Sequence, residues 1–188
     1  MSVKCIELDN ENIAHSVTLT PRLEYSTSLL DEIVDVISQR RDDLKQSNKD
    51  LVSDFDESDK THLQAIDLER TMAFSLEILT IAKRKTKSIT NIRSIPQVLP
   101  SSIPLIRTIS AQLYELIPDC SQKLSELSVH LGSIVLDSAA LTHASFDFSQ
   151  SNTESSTLLD EVKLMVDSKI SKQYPNVDFF KLCNTLMY

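Results

Sequence analysis

The sequence predicts an all-α protein, built as a long antiparallel helical hairpin followed by three shorter helices. The chain of 188 residues contains one glycine and no tryptophan. Sheets and tight hairpins need glycine at their turns, so its near absence favours long helices with few sharp reversals. Apolar residues also recur at seven-residue intervals in one stretch and at alternating three- and four-residue steps in another, which is the spacing of helices that pack along one face.

The first predicted helix begins at Pro21. Residues 1–20 are polar and without periodicity, and we expect them to form a flexible N-terminal segment. Pro21 suits the first turn of a helix, with Thr20 as its cap. The second half of this helix is polar from Gln39 to Asp43, and we expect it to project into solvent or to contact another chain. The helix reaches about Ser53 because apolar residues keep heptad register at Leu23, Leu30, Ile37, Leu44 and Leu51.

The second predicted helix runs from Lys60 to about Ile95, after an acidic break at Asp54 to Asp59. The short connection makes the two helices antiparallel neighbours, so residues 21–95 form the hairpin. A hinge is predicted to follow. Prolines remove a backbone donor and restrict the residue before them, and here three lie close together at Pro96, Pro100 and Pro104.

Three further helices are predicted in residues 96–175, as part of the same domain. The first runs from about Ser101 to Ile117 and is broken by Pro118. The second starts at Asp119 or Cys120, reaches about Ala144, and carries an apolar stripe. Five residues of that stripe are the candidates for self-assembly: Leu124, Leu127, Leu131, Ile134 and Leu141.

The remaining features of this half are a glycine, the last helix and the tail. Gly132 costs about 1 kcal/mol relative to alanine in mid-helix, and we expect it to serve close approach of a neighbouring helix more than a bend. Phe146 and Phe148 alternate around an acid, which indicates an extended or anchoring segment rather than a helix. A helix capped at Asn152 follows and ends before Pro175, and the apolar tail 176–188 docks on the chain or binds a partner.

Charge bears on the class of partner. The net charge of −8 argues against nucleic acid, since phosphate neutralisation needs a basic surface. One segment of the second helix and its exit is basic without any acidic residue, and it can meet an anionic membrane surface or an acidic patch on a neighbouring subunit. The ordinary alternative is a solvated helix face. The membrane-binding candidates are Lys83, Arg84, Lys85, Lys87 and Arg93.

No pattern in the sequence points to catalysis, a cofactor or a metal. A single glycine cannot build a phosphate-cradling loop. The four histidines are scattered, without the spacing of a zinc site. The three cysteines lack C-x-x-C spacing and are expected to be reduced, as in a cytosolic protein. We expect neither a signal peptide nor a membrane-spanning helix, so membrane contact would be peripheral.

Three runs after residue 98 carry a family resemblance. They read IPLIRTISAQLYELIP, LSELSVHLGSIVLDSA and KLMVDSKISKQYPN. With the compatible hairpin before them, they make the chain resemble the archaeal CdvB proteins, which are ESCRT-III-like proteins of cell division and membrane remodelling. The likeness covers about four-fifths of the chain and consists of patterned apolar positions. A departure is the first helix, which is basic in many members and acidic on balance here.

The resemblance implies an ESCRT-III-like fold and a polymerising subunit. Such subunits form homo- or hetero-polymers with ESCRT-III-like paralogues on the cytosolic face of a membrane, at the division site, and constrict or cut it. The resemblance also implies disassembly by an AAA ATPase of the CdvC type. The run IPQVLPSSIP resembles a proline-rich strand that binds the ATPase. It lies inside the domain, however, and this position favours its interpretation as the hinge.

Two other classes of function stay open. A non-filament coiled-coil scaffold or adaptor would form a discrete oligomer that ignores lipid. An enzyme on a helical bundle would need a pocket with convergent polar groups and perturbed pKa values.

Overall fold

The computed structural model describes the backbone of residues 3–51, 60–145 and 148–174 and the side chains of residues 19–47, 64–145 and 149–174. The described part is helical, with no strand, which confirms the all-α class. Its elements, in chain order, are α1 (Val3–Leu51), α2 (Lys60–Lys87), a 3₁₀ turn (Ile92–Ser94), α3 (Ile95–Val98), a second 3₁₀ turn (Leu99–Ser101), α4 (Ser102–Leu113), α5 (Pro118–Thr142) and α6 (Phe148–Gln173).

Helix α1 is longer than the sequence predicted. It spans 49 residues, about 73 Å, and Pro21 lies inside it. The predicted start at Pro21, and with it the irregular segment before it, is therefore wrong for residues 3–20. Once a helix is nucleated, each added residue gains one hydrogen bond, and no glycine or proline interrupts those residues.

The two long helices pack side by side in opposite directions. Asp31 of α1 pairs with Lys83 of α2, whereas Arg41, further along α1, pairs with Glu69, which comes earlier in α2. The heptad positions supply the contact, with Leu30 and Ile37 fully buried. Arg41 lies in the second half of α1 and pairs with a residue of α2. The prediction that this half projects into solvent is therefore wrong at Arg41.

Helix α2 ends at Lys87, earlier than the predicted Ile95. Hydroxyl side chains compete for backbone groups there, as Ser88 Oγ donates to the carbonyl of Lys85 at 2.7 Å. The proline segment that follows is a series of tight helical turns packed into the core. Pro96 and Pro100 are buried and Pro104 is half-buried. The predicted hinge residues thus form a packed corner in this structure.

Helices α4, α5 and α6 cover the hairpin. Pro118 is the first residue of α5, where its missing N–H costs nothing. His143, with a φ of 51°, closes α5 in the left-handed conformation typical of helix ends. Helix α6 begins at Phe148, so the predicted cap at Asn152 lies within it. The acidic break, residues 146–147 of the expected extended segment, and the tail 176–188 lie outside the described residues.

Candidate functional site

The apolar stripe of α5 is buried between α1 and α4. Leu124, Leu131 and Ile134 have no exposed area, Leu127 is buried, and Leu141 is half-buried against the same core. This is the core face that the three- and four-residue spacing requires. The sequence-predicted self-assembly residues are therefore together, on one side of one helix, and covered by their own chain.

Polar contacts tie α5 to α1 along the edge of that interface. Arg22 of α1 donates to Asp137 at 2.6 Å and also to the hydroxyl of Ser133. Nearer the start of α5, Lys123 donates to Glu32, and this hydrogen bond raises the pKa of Lys123. Asp137 and Glu32 are more than half exposed, so both ties lie at the surface. We name these two contacts the α1–α5 ties.

Helix α6 is attached to α2 and to the second 3₁₀ turn by another set of contacts. The Arg70 guanidinium donates to both carboxylate oxygens of Asp167, and this pairing raises the pKa of Arg70. Ser155, near the start of α6, donates to the carbonyl of Ser101 at 2.8 Å. The first contact attaches the second half of α6 to the hairpin, and the second attaches its first half to the 3₁₀ turn before α4.

A fully buried carboxylate marks where α6 ends on the hairpin. The hydroxyl of Tyr174 donates to Glu69 Oε2 at 2.6 Å. The other oxygen, Oε1, lies 3.7 Å from Arg41 and 4.0 Å from Lys45. A buried carboxylate is costly unless it is paired, and here two basic residues of α1 and the residue after α6 surround it.

The five basic candidates do not form one open face. Lys83 and Lys87 both pair with Asp31, at 2.7 and 3.3 Å. The hydrogen bond from Lys83 is the main reason that the pKa of Asp31 is lowered. Lys85 Nζ donates to the hydroxyl of Ser101 at 2.9 Å.

The other two basic candidates are Arg84 and Arg93. Both are exposed and have no ion pair among the described residues. They are therefore the two of the five whose charge is not already engaged within the described chain.

A cleft of about 480 Å³ opens beside this segment, between the Leu19 to Asp31 part of α1 and the turn that follows α2. Its lining mixes hydroxyls such as Thr27 and Thr90 with the partly apolar floor of Leu23 and Ile92. Two carboxylates, Glu24 and Asp31, also line the cleft, and Asp31 is paired with Lys83 and Lys87.

Sequence reasoning missed the polar contacts that hold the helices together. For lone charged or polar residues such as Arg22, Asp137, Glu69 and Tyr174, exposure to solvent is the default interpretation of the sequence. A helical projection of α5 is the signal that could have helped, since its charged residues fall on one side, toward α1. No projection indicates which helix supplies the partners, because Arg22 and Asp137 are 115 positions apart.

Helix α5 has the length and composition of a membrane span. Among the described residues it is the one helix that meets these criteria, with a mean hydropathy of 1.2 in its most apolar 18-residue window. In the structure, 44% of that window is buried. The core helix of a soluble protein can meet the same criteria of length and hydropathy. Helix α5 meets them because its outer face is apolar as well as its buried face.

Comparison with known proteins assigns no family. No protein-family model matches the chain. No solved structure matches it either. Within the described residues, no group of three or more histidine, cysteine, aspartate or glutamate side chains is arranged to hold a metal ion.

Proposed function

We propose that the chain is a subunit of an ESCRT-III-like filament, which assembles on the cytosolic face of a membrane and constricts or cuts it in cell division or vesicle formation. An AAA ATPase of the CdvC type would then disassemble the filament. The sequence resemblance to the CdvB proteins supports this function. The architecture is compatible with it, because a long antiparallel hairpin carries three further helices on its surface.

The observation that carries the proposal is the covering of the α5 stripe. Leu124, Leu131 and Ile134 are fully buried, yet the polar groups that hold α5 to α1 are surface ion pairs. Exposed ion pairs contribute little to the free energy of folding. The stripe would bury similar apolar area against a neighbouring subunit, at about 25 cal/mol per Å² in either case. A neighbour or a membrane can therefore shift α5 from its own hairpin to the next one.

Loosening the α1–α5 ties tests this mechanism without placing a charge in the core. The variant Arg22→Ala/Lys123→Ala removes both ties and leaves the stripe intact. We expect it to form filaments at lower protein concentration than the wild type, by negative-stain electron microscopy with and without anionic liposomes. The matched control is Lys163→Ala/Lys172→Ala, which removes the same charge from two exposed lysines of α6.

The results separate the two leading functions. Filaments that lengthen or increase in number on anionic liposomes, and more so for the tie variant than for its control, support the proposal. A discrete oligomer that ignores lipid, unchanged by either variant, would instead indicate the coiled-coil scaffold or adaptor.

A further inference from the structure

The outer face of α5, opposite the buried stripe, carries two large apolar side chains. Val129 is 67% exposed and Leu136 is 61% exposed. A single exposed apolar residue is ordinary. These two are seven residues apart, which places them on the same face of the helix, two turns from each other. The alanine at position 140, one turn further, is also exposed.

This face is free of charge. At about 100° per residue, Ser125, Val129, Gly132, Leu136 and Ala140 fall in one sector of the helix. The charged side chains of α5 fall in another sector, toward α1: Asp119, Lys123, Glu126 and Asp137. Lys123 and Asp137 contact α1 directly, which confirms where that sector points.

The face is also close to symmetric along its length. The midpoint between Gly132 and Ser133 has Val129 and Leu136 at equal distances on either side, and Ser125 and Ala140 at equal larger distances. Large residues therefore exchange with large ones, and small with small, when the helix is reversed about that midpoint. A surface with this property can pack against an identical copy of itself around a two-fold axis.

The centre of the face is open. A Cβ built on Gly132 would meet no atom of the rest of the described chain within 4 Å. The glycine therefore does not serve packing against the other described residues. At the midpoint of an external contact, the missing side chain allows another helix backbone to approach closely.

We propose that a second copy of this chain docks on the outer face of α5, with the two α5 helices antiparallel and a two-fold axis beside Gly132. Electrostatics favours a second copy at this face in particular. Two chains of net charge −8 repel each other over most of their surface. An uncharged face lets them meet without bringing like charges into contact, whereas a basic partner would find nothing to pair with.

The contact is a small one. A single helix crossing lies at the low end of interface sizes, where association is weak and depends on concentration. It forms between subunits whose α5 stripe is still buried and needs no membrane. Its failure would leave the proposed filament function standing, and failure of the filament would leave this contact standing.

Oligomeric state in solution tests the inference. Sedimentation velocity of the full chain without lipid, over a range of concentrations, should show a monomer–dimer equilibrium. Leu136→Lys should shift the dissociation constant at least tenfold toward monomer, because it places two like charges beside the axis. Leu164→Lys is the matched control, since Leu164 is 72% exposed on α6. A monomeric wild-type chain, or equal effects of the two substitutions, would overturn the proposal.

Cysteine cross-linking tests the antiparallel arrangement. In a background with Cys5→Ser and Cys183→Ser, Val129→Cys and Leu136→Cys chains should form a disulfide when mixed. Val129→Cys alone should not, since its two copies would lie about 10 Å apart along the axis, beyond disulfide reach. Rapid self-cross-linking of Val129→Cys would indicate parallel helices and overturn the arrangement. A monomer whose melting temperature falls on Leu136→Lys substitution would assign the face to another segment of the same chain.

Discussion

Ser110 and Ser121 exchange hydrogen bonds across the turn between α4 and α5. The hydroxyl of Ser110 donates to the carbonyl of Ser121, and the hydroxyl of Ser121 donates to the carbonyl of Ser110, each at 2.7 Å. Both side chains are buried. The pair fixes how α5 leaves α4, and hence where the apolar stripe of α5 meets α1.

We expect Ser110→Ala and Ser121→Ala each to lower the free energy of unfolding by about 1 kcal/mol, the net value of one hydrogen bond. Urea denaturation measures the change. Ser75→Ala is the control, because this fully buried serine donates only to a carbonyl of its own helix, that of Thr71. A loss as large in the control as in the two variants would show that the exchange between α4 and α5 adds nothing specific.

Asp31 is expected to make the hairpin sensitive to acid. Its pKa is lowered chiefly by the hydrogen bond from Lys83, with Lys87 assisting. A carboxyl group whose folded pKa is lowered stabilises the fold fully above its unfolded pKa of about 3.9, and that stabilisation is lost as the pH falls through the lower, folded value. Melting temperature should therefore fall less steeply below pH 4 in Asp31→Asn than in the wild type. Asp35→Asn, which removes an exposed aspartate from the same helix, is the control, and an equal effect of the two substitutions would contradict the role assigned to Asp31.

Proline marks some boundaries in this chain and misleads at another. Pro118 begins α5 within two residues of the predicted start. A proline after a helix end favours the first position of the next helix, where its missing N–H needs no partner. Pro21 has the same local signature, yet it lies inside α1. A proline inside a helix loses a hydrogen bond and strains the preceding turn, and only the packing of the whole helix decides whether that cost is met.

The stripe of α5 was predictable, whereas its partners were not. Leu124, Leu127 and Leu131 reveal a buried face through spacing alone, and the structure buries them. The contacts that hold α5 in place join residues about a hundred positions apart, such as Lys123 and Glu32. Charge pairs at that separation depend on which helices become neighbours, and local sequence does not contain that information.

At Gly132 the local sequence predicted a contact that the described residues do not make. The sequence predicts close approach of a neighbouring helix, but no atom of the rest of the described chain lies within 4 Å of a Cβ placed there. That prediction is wrong for the part of the chain that the structure describes. Gly132→Ala should therefore raise the free energy of unfolding by about 1 kcal/mol, since alanine favours the helix and meets no clash. Ala140→Gly, on the same exposed face, should lower it by a similar amount.

Urea denaturation at concentrations where the chain is monomeric measures both substitutions at Gly132 and Ala140. If Gly132→Ala destabilises the monomer, the space beside α5 must be filled by part of the chain.

Tyr174 is expected to hold the end of α6 on the hairpin through Glu69. Its hydroxyl is a donor to a buried carboxylate, and hydrogen bonds to charged groups contribute about 1.5–3 kcal/mol. Tyr174→Phe should lower the free energy of unfolding by that amount and speed amide hydrogen exchange in the last turns of α6. Tyr114→Phe, with a side chain that is 69% exposed, is the control. Unchanged exchange in α6 would mean that other contacts hold this end.

Some of the basic candidates form ion pairs within the described chain and others do not. We expect the residues without an ion pair to contribute more to membrane binding. Arg84 and Arg93 are exposed without an ion pair among the described residues, whereas Lys83 and Lys87 share Asp31. A basic residue near an anionic surface contributes about 1 kcal/mol, so losing two should weaken binding by roughly thirtyfold at low ionic strength. We expect Arg84→Gln/Arg93→Gln to show this loss in sedimentation with phosphatidylserine vesicles.

Lys83→Gln/Lys87→Gln is the matched comparison for that measurement, since it removes the same charge from the same segment. It should weaken vesicle binding less, because the ammonium groups of these lysines are held in ion pairs with Asp31 and must leave them to contact lipid phosphates. Equal losses for the two variants would indicate that binding responds only to total charge. No loss in either variant would remove this segment as the membrane contact and would return it to the solvated helix face that its sequence also allows.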